Sequence, residues 1–284
     1  MSPSSPHAPL RVPPLALNNG VEIPQVGYGV FLVPEDETRT SVLTALEVGY
    51  RHIDTARAYN NEAAVGEAIA ESGIDRDELF VTTKLWNNDQ GYDTALDAFD
   101  ASVKRLGLDF VDLYLIHWPV PTQNTYLETW KAFEKLYADG RARSIGVSNF
   151  QPAHLQRLLD ETDVVPAINQ VELHPWLQQR ELRAFHAEHG IVTEAWSPIA
   201  RGQKLSDPTI TSIAHKHGVT PAQVMLRWHL DLDNVVIPKS VNPARMAENI
   251  DLFRIRLDEE DHAAIAGLDA GTRVGPDPDT FGTD

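Results

Sequence analysis

The sequence contains no cysteine, and this absence excludes several kinds of chemistry. Without a thiol the chain cannot form disulfides, a thiolate metal site or a cysteine nucleophile. Basic residues are also few, since 24 Lys and Arg stand against 41 Asp and Glu and the formal net charge is −17. Because phosphates repel a protein of this charge, we expect no binding to nucleic acids or to acidic lipid surfaces.

Long apolar runs and targeting signals are missing as well. No stretch of the sequence stays apolar over the length that a membrane-spanning helix needs. Residues 1–14 contain five prolines and lack the basic and apolar regions of a secretory signal. We therefore expect a flexible tail over residues 1–14, a single domain over residues 15–284 and a cytoplasmic location.

Short β-rich runs alternate with longer amphipathic stretches along most of the chain. Eight runs are predicted strands: residues 26–31, 50–55, 79–85, 111–118, 142–148, 167–173, 191–196 and 235–238. Helices are predicted between them, with extra helices near residues 221–230 and 258–268. Capping side chains followed by proline mark three of the helix starts, at Asp207, Thr220 and Asn242.

This alternation predicts parallel strands, and eight strand–helix units close into a (β/α)8 barrel. We expect an α/β fold of the TIM-barrel type, with an N-terminal β-hairpin over residues 15–23 that covers the N-terminal mouth. An open doubly wound sheet is the structural alternative. Such a sheet carries Gly-x-Gly-x-x-Gly when it binds a dinucleotide, and here Gly27-Tyr28-Gly29 is followed by Leu32 in place of the third glycine.

Four chemically useful side chains fall at or just after the ends of neighbouring predicted strands: Asp54, Tyr59, Lys84 and His117. Each alone has an ordinary structural explanation, such as a helix cap or a surface ion pair. Because the active site of a (β/α)8 barrel lies at the carboxyl ends of its strands, we expect all four to meet in one patch. Their occurrence at successive strand ends therefore indicates an active site.

The four side chains suit the protonation of an alkoxide after a hydride has reached its carbon. A lysine ammonium favours the phenolate form of a nearby tyrosine and is expected to lower its pKa, so that the tyrosine serves as a proton donor and acceptor. An aspartate keeps the lysine charged, and a neutral histidine donates to the carbonyl oxygen as negative charge develops there. The set does not suit acyl transfer, because no nucleophile is poised.

Four motifs resemble those of the aldo-keto reductase family. They are GYRHIDTA at residues 49–56, YNNE at 59–62, LYLIHWP at 113–119 and IPKS at 237–240. The chain is most similar to the bacterial 2,5-diketo-D-gluconate reductase-like group, over residues 15–253. The resemblance implies a (β/α)8 barrel and the NADPH-dependent reduction of aldehydes, ketones or α-dicarbonyls. It also implies that Asp54, Tyr59, Lys84 and His117 are the catalytic tetrad, with Tyr59 as the general acid.

Residues after the later strands are the predicted cofactor site, since no side chain can supply a hydride. By resemblance, Ser148, Asn149 and Gln170 hold the nicotinamide carboxamide, while Trp196, followed by Ser197, stacks on the nicotinamide ring. Arg201 and Gly202 lie in a loop that would cover the pyrophosphate. A lysine, a hydroxyl and an arginine at a helix start form an anion site that favours NADP over NAD: Lys239, Ser240 and Arg245. By resemblance, Glu248 and Asn249 contact the adenine end.

The predicted substrate mouth is aromatic and is formed by Phe31, Trp86, His117 and Trp118, with Trp176 as a further candidate. The segment 271–284 is expected either to drape over this mouth or to be disordered. The predicted partner is a small carbonyl compound. We expect a monomer, and no metal site, because the histidine pairs at 186/189 and 215/217 are typical of solvated helix faces.

Two other functions compete with the reductase. The fold also resembles the β subunits of voltage-gated potassium channels, so an NADP-binding regulatory subunit with little turnover is one alternative. A barrel lyase or isomerase that uses Lys84 as a Schiff-base amine is the other.

Overall fold

The computed structural model describes residues 12–282, and within them a parallel sheet forms the centre of the protein. The order of its eight strands follows the chain from one edge to the other. The first and last strands are joined by a parallel bridge between Val26 and Val236, and Gly27 N donates to Val236 O at 2.8 Å. The sheet is thus closed into the predicted (β/α)8 barrel.

Ten strands are described. They are β1 Pro14–Ala16, β2 Glu22–Pro24, β3 Tyr28–Gly29, β4 His52–Asp54, β5 Phe80–Leu85, β6 Val111–Ile116, β7 Ala142–Ser148, β8 Ile168–Glu172, β9 Val192–Trp196 and β10 Val235–Val236. Strands β3 to β10 form the barrel, and β1 pairs with β2 in an antiparallel hairpin.

Ten α-helices accompany the strands within residues 12–282. They are α1 Glu35–Val48, α2 Glu62–Glu71, α3 Tyr92–Leu106, α4 Tyr126–Ala138, α5 Pro152–Glu161, α6 Arg180–His189, α7 Pro208–His217, α8 Pro221–Asp231, α9 Pro243–Ile250 and α10 Glu259–Ala266. The predicted caps are confirmed, because the side chains of Asp207, Thr220 and Asn242 accept hydrogen bonds from the first turns of α7, α8 and α9.

The hairpin covers the N-terminal mouth of the barrel, as predicted. Its buried Leu17 and Ile23 pack against the lower barrel residues Phe80, Leu113 and Val235. It begins at Pro14, one residue before the predicted start. Of the tail predicted over residues 1–14, residues 1–11 lie outside the described residues. The apolar plug leaves the opposite mouth, at the carboxyl ends of the strands, for the site.

The first and last barrel strands are shorter than the sequence predicts. Strand β3 comprises two residues instead of residues 26–31, and β10 comprises two instead of residues 235–238. The carboxyl-side residues of both runs leave the ladder and form loops at the mouth, where Phe31 is 45% exposed. The larger apolar core lies between the barrel and its helices, and includes Phe99, Tyr114, Trp130 and Phe133.

Candidate active site

Lys84 is the centre of the predicted tetrad and is fully buried at the upper end of β5. Its Nζ donates to Asp54 Oδ1 at 2.6 Å and to the backbone oxygen of Thr55 at 2.9 Å. It also lies 3.5 Å from Tyr59 Oη, at the outer limit of a hydrogen bond. Three of the four predicted residues are therefore joined directly.

The local chain path explains how residues distant in sequence meet. Strand β4 ends at Asp54, which pairs in register with Thr82 of β5, so that Lys84 follows two residues later on the same face. A 3₁₀ turn, Arg57–Tyr59, and Asn60 with a left-handed φ of 55° then bend the chain after β4. This bend returns the phenol of Tyr59 to the mouth above Lys84.

Burial and the neighbouring charges act in opposite directions on the pKa values of Tyr59 and Lys84. Burial raises the pKa of Tyr59 to about 12, and the Lys84 ammonium opposes this shift without cancelling it. The predicted effect of Lys84, which lowers the pKa of Tyr59, is therefore confirmed in direction, but the expected net lowering is wrong because burial of the phenol outweighs it. Burial lowers the pKa of Lys84, but the charge and hydrogen bond of Asp54 together with the charges of Tyr59 and Glu194 outweigh burial, and the net shift is upward.

His117 lies beside Tyr59, and the sequence places it correctly as a neutral ring. The two ring centroids are 5.7 Å apart, and Trp86 packs edge-on against His117 at 5.2 Å. Burial, followed by the charge of Lys84, holds the pKa of His117 well below its usual range. Within the described residues its Nδ1 has no hydrogen-bond partner. At neutral pH the ring is thus an uncharged hydrogen-bonding group.

The predicted aromatic mouth forms around this tetrad. Phe31 lies 5.1 Å from Tyr59 between ring centroids, and Trp118 stacks at 6.4 Å on His117. Trp176 does not join them: it is buried, and its ring lies beneath the Lys204 ammonium at 5.0 Å. Its candidate role in the mouth is corrected, because the loop after β8 turns its ring toward the core.

The C-terminal segment supplies an aromatic ring that the sequence reading missed. Phe281 lies 4.3 Å from Trp118 and 6.4 Å from Trp86 between ring centroids. Residues 271–282 therefore drape over the mouth, which is the first of the two expectations for this segment, and residues 283–284 lie outside the described residues. The sequence signal was weak, since a lone phenylalanine among Gly, Pro and Asp residues shows no periodicity.

Glu172, at the end of β8, fastens this segment to the barrel. Its carboxylate accepts hydrogen bonds from the backbone N–H groups of Val274 and Gly275, and His174 Nε2 lies 3.0 Å away. A Cβ atom on Gly275 would approach Trp196 to 2.3 Å, so the bare backbone packs against the indole. The segment thus contacts the ring that the sequence assigns to the nicotinamide.

The residues predicted to hold the nicotinamide lie together in the carboxyl-side parts of β7, β8 and β9 and, for Asn149, directly after β7. Asn149 Nδ2 donates to the backbone oxygen of His117 at 3.0 Å and its Oδ1 accepts from Trp196 Nε1 at 2.8 Å. Ser148 Oγ donates to Gln170 O at 2.8 Å. Gln170 Nε2 points into the barrel, whereas its Oε1 accepts no hydrogen bond from residues 12–282. That oxygen fits the amide N–H of a carboxamide.

The turn after β9 is strained. Ser197, Ala200 and Arg201 all have left-handed φ angles, of 48°, 49° and 53°, and Gly202 follows with 75°. Left-handed non-glycine residues cost free energy and cluster at ligand-binding segments. Arg201 is exposed and makes no ion pair with the part of the chain that the structure describes. The turn that follows Trp196 therefore carries an exposed cation.

The predicted phosphate site lies after β10. Lys239 and Arg245 are exposed, and neither forms an ion pair with residues 12–282. Ser240 Oγ accepts from Asn242 N at 3.1 Å, which orders the entry into α9. On the same helix Glu248 is exposed and Asn249 is 5% exposed. Unpaired cations in a chain with a net charge of −17 form a local anion site, so this donor set fits a dinucleotide phosphate.

The chain is similar to known proteins over most of its length. The aldo/keto reductase family model matches residues 27–270. An aldo-keto reductase of Mycolicibacterium smegmatis is 59% identical to this chain, and the match covers 95% of this chain and 98% of that protein. The methylglyoxal reductase DkgA of Escherichia coli is 52% identical, and the match covers 94% of this chain and 98% of that protein. A solved structure of a Gox0644 mutant in complex with NADPH is 50% identical, covers 95% of this chain and 98% of that protein, and superposes with a TM-score of 0.92.

The chain belongs to the aldo/keto reductase family. The predictions of the family, the barrel, an NADP-dependent oxidoreductase and an NADPH cofactor are confirmed. This reductase has no described helix that is both long and apolar enough to span a membrane. Within residues 12–282 no group of three or more His, Asp or Glu side chains is placed to hold a metal ion.

Proposed function

We propose that Tyr59 is the proton donor of this reductase, that His117 orients the substrate carbonyl, and that Lys84 and Asp54 stabilise the phenolate left behind. One observation carries the proposal: the Lys84 ammonium, held by Asp54 at 2.6 Å, lies beneath the Tyr59 hydroxyl in the aromatic mouth. NADPH supplies the hydride when it is bound. The protein then has to orient the carbonyl, exclude water and deliver one proton.

The electrostatic order of the site supports this assignment. At neutral pH Tyr59 keeps its proton, because burial raises its pKa, and His117 is uncharged. An alkoxide is far more basic than a phenolate, so the proton moves from Tyr59 to the substrate oxygen. The Lys84 ammonium is in place before the transfer and stabilises the new phenolate without reorganisation. The same argument disfavours a Schiff base on Lys84, since a protonated amine is not a nucleophile.

The mouth indicates the substrate class. Its walls are the rings of Phe31, Trp86, Trp118 and Phe281, and none of these rings lies beneath a cation in the described structure. An apolar mouth of this kind favours uncharged aldehydes, ketones and α-dicarbonyls over carboxylate-bearing ones. Methylglyoxal, named for the Escherichia coli relative, is a small uncharged member of this class.

A turnover assay tests the function. The purified protein is mixed with NADPH and methylglyoxal, phenylglyoxal or a sugar acid with a keto group, and the fall in NADPH absorbance is followed. We expect steady turnover with the uncharged compounds and a lower kcat/KM for the anionic one. NADPH binding without its consumption by any of them would favour the regulatory-subunit alternative instead.

Arg245→Ala should weaken NADPH binding selectively. A charge-assisted hydrogen bond to phosphate contributes about 1.5–3 kcal/mol, so we expect the KM for NADPH to rise roughly 10- to 100-fold. The KM for NADH should change little, because NADH has no 2′-phosphate. Arg254→Ala is the matched control, since Arg254 is exposed but already paired with Asp251. Equal losses for both cofactors would refute the 2′-phosphate assignment to Arg245.

We also propose that the reductase works as a monomer in the cytoplasm and does not bind nucleic acids. The absence of cysteine and the net charge of −17 support this proposal. Size-exclusion chromatography with light scattering tests the monomer: a mass near twice 31.6 kDa would contradict it.

A further inference from the structure

A second carboxylate lies inside the barrel below the tetrad, and neither the sequence reading nor the proposed mechanism uses it. Glu194, on β9, is 0% exposed. Gln170 Nε2 donates to Asp54 Oδ2 at 2.9 Å and to Glu194 Oε2 at 3.0 Å. One amide group therefore joins the aspartate that holds Lys84 to a buried glutamate on the other side of the barrel.

The charges around Glu194 do not balance if it is ionised. Asp54 and His52 face it from β4, Lys84 from β5 and Gln170 from β8. Lys84 is the cation of this set, and its ammonium is hydrogen-bonded to Asp54, Thr55 and Tyr59.

His52 does not supply the missing positive charge. Its Nε2 lies 3.8 Å from Glu194 Oε1, beyond hydrogen-bond distance, and 3.1 Å from Thr82 Oγ1. Burial, followed by the charge of Lys84, lowers the pKa of His52 to about 3, so the ring is neutral. Glu194 Oε1 has no hydrogen-bond partner among the described residues. A second negative charge here would be buried without compensation, which strongly favours the protonated carboxyl.

We infer that Glu194 is a positioning residue that controls the charge behind the Asp54–Lys84 pair: it carries a proton at neutral pH and acquires a negative charge in alkaline solution, where it helps Tyr59 to retain its proton. The inference rests on the proposed role of Tyr59 as proton donor. A residue inside the barrel would thus help to set the pH range over which Tyr59 transfers its proton.

The electrostatics agree in direction. Burial, and then the charge of Asp54, raises the pKa of Glu194, while the Gln170 hydrogen bond and Lys84 act in the opposite sense. A negative charge on Glu194 in turn raises the pKa of both Tyr59 and Lys84. Replacing the Glu194 carboxyl with a neutral group should therefore lower the pKa of Tyr59 at the alkaline pH values at which Glu194 carries its negative charge.

Thermal stability tests the protonation state directly. Glutamine matches glutamate in shape and still accepts from Gln170, so Glu194→Gln mimics the protonated form. A carboxyl whose pKa is raised on folding contributes stability that is fully present below the unfolded value of about 4.3 and is lost as pH rises through the folded value. We expect the Tm of Glu194→Gln, relative to the unmodified protein, to increase by at least about 3 °C between about pH 5 and about pH 9. A constant or falling difference would overturn the inference.

Infrared spectroscopy of the unmodified protein covers the case in which this variant fails to fold. Difference spectra between neutral and alkaline pH should show the loss of a protonated carboxyl C=O band. With Glu isotopically labelled in its carboxyl group the band should shift. A band that is already absent at neutral pH would contradict the proposal.

The pH profile of alcohol oxidation tests the link to Tyr59. In this direction Tyr59 must lose its proton, so kcat rises with pH. We expect the rising limb in Glu194→Gln to move to lower pH by about one unit, since roughly one kcal/mol or more of charge repulsion is removed. Glu62→Gln is the matched control, because Glu62 is equally buried but is paired with Arg105 outside the barrel. An unchanged limb in Glu194→Gln, or an equal shift in the control, would overturn the link.

The two arms separate this inference from the function on which it rests. If Tyr59→Phe kept its turnover, the proposed mechanism would fail, while the stability measurement would still report whether Glu194 is protonated. If Tyr59→Phe lost its turnover as expected but the Tm difference between Glu194→Gln and the unmodified protein did not change with pH, the inference about Glu194 would fail and the proposed role of Tyr59 would stand.

Discussion

Tyr59→Phe should lower kcat for carbonyl reduction by about 10²–10⁴-fold, the range usual for loss of a general acid. The phenyl ring keeps the contacts of Tyr59 with Phe31 and His117, whose centroids lie 5.1 and 5.7 Å away. The hydroxyl above Lys84 is lost, and the Lys84 ammonium is too basic to replace it because Asp54 raises its pKa. The proton must then come from water, which the aromatic mouth restricts.

The measurement is steady-state NADPH consumption together with NADPH binding followed by fluorescence. We expect the Kd for NADPH to stay within about twofold, because the phosphate-binding cations are elsewhere. Tyr92→Phe is the matched control, since Tyr92 is an exposed tyrosine at the start of α3. A kcat within tenfold of the unmodified enzyme would show that another group delivers the proton.

Lys84→Met should have two large effects at once. It leaves Asp54 as a buried carboxylate without its cation, and breaking one half of a buried pair destabilises a protein by about 3–5 kcal/mol. It also removes the ammonium that stabilises the Tyr59 phenolate, which we expect to lower kcat by about 10²–10³-fold. Denaturant unfolding measures the first effect and NADPH consumption the second.

A double variant separates packing from catalysis. In Asp54→Asn with Lys84→Met no buried charge is left unpaired, and the new amide oxygen can still accept from Gln170. We expect most of the lost unfolding free energy to return while kcat stays low. If kcat recovered together with stability in the double variant, Lys84 would contribute only to the stability of the fold and not to the stabilisation of the Tyr59 phenolate.

Much of the candidate active site was predictable because its residues follow local rules. Asp54, Lys84 and His117 each end a β-rich run, and parallel strands in a barrel bring such ends to one mouth. The motif around Tyr59 lies in the next turn, close enough along the chain to reach the same patch. The cofactor residues after β7 to β10 were predicted by the same reasoning, and their roles remain predictions.

Other features depend on contacts between distant segments. Phe281 meets Trp118 because the C-terminal segment, which Glu172 holds through Val274 and Gly275, crosses the mouth. Trp176 follows a strand end just as Trp118 does, yet its loop turns it into the core. No pattern along the chain distinguishes these two tryptophans, since each direction is set by what the neighbouring loops leave open.

The linear sequence predicts the order of strands and helices, the four residues at the centre of the site and the excess of acidic over basic residues. Each of these features depends on spacing or composition alone. The linear sequence does not predict the net pKa shift of Tyr59 or the link from Asp54 through Gln170 to Glu194. Desolvation is the sum over every atom that surrounds a group, and a buried hydrogen bond joins residues 116 positions apart in the Asp54–Gln170 case. The pKa shift of Tyr59 and the Asp54–Gln170–Glu194 link therefore arise only when the barrel has closed.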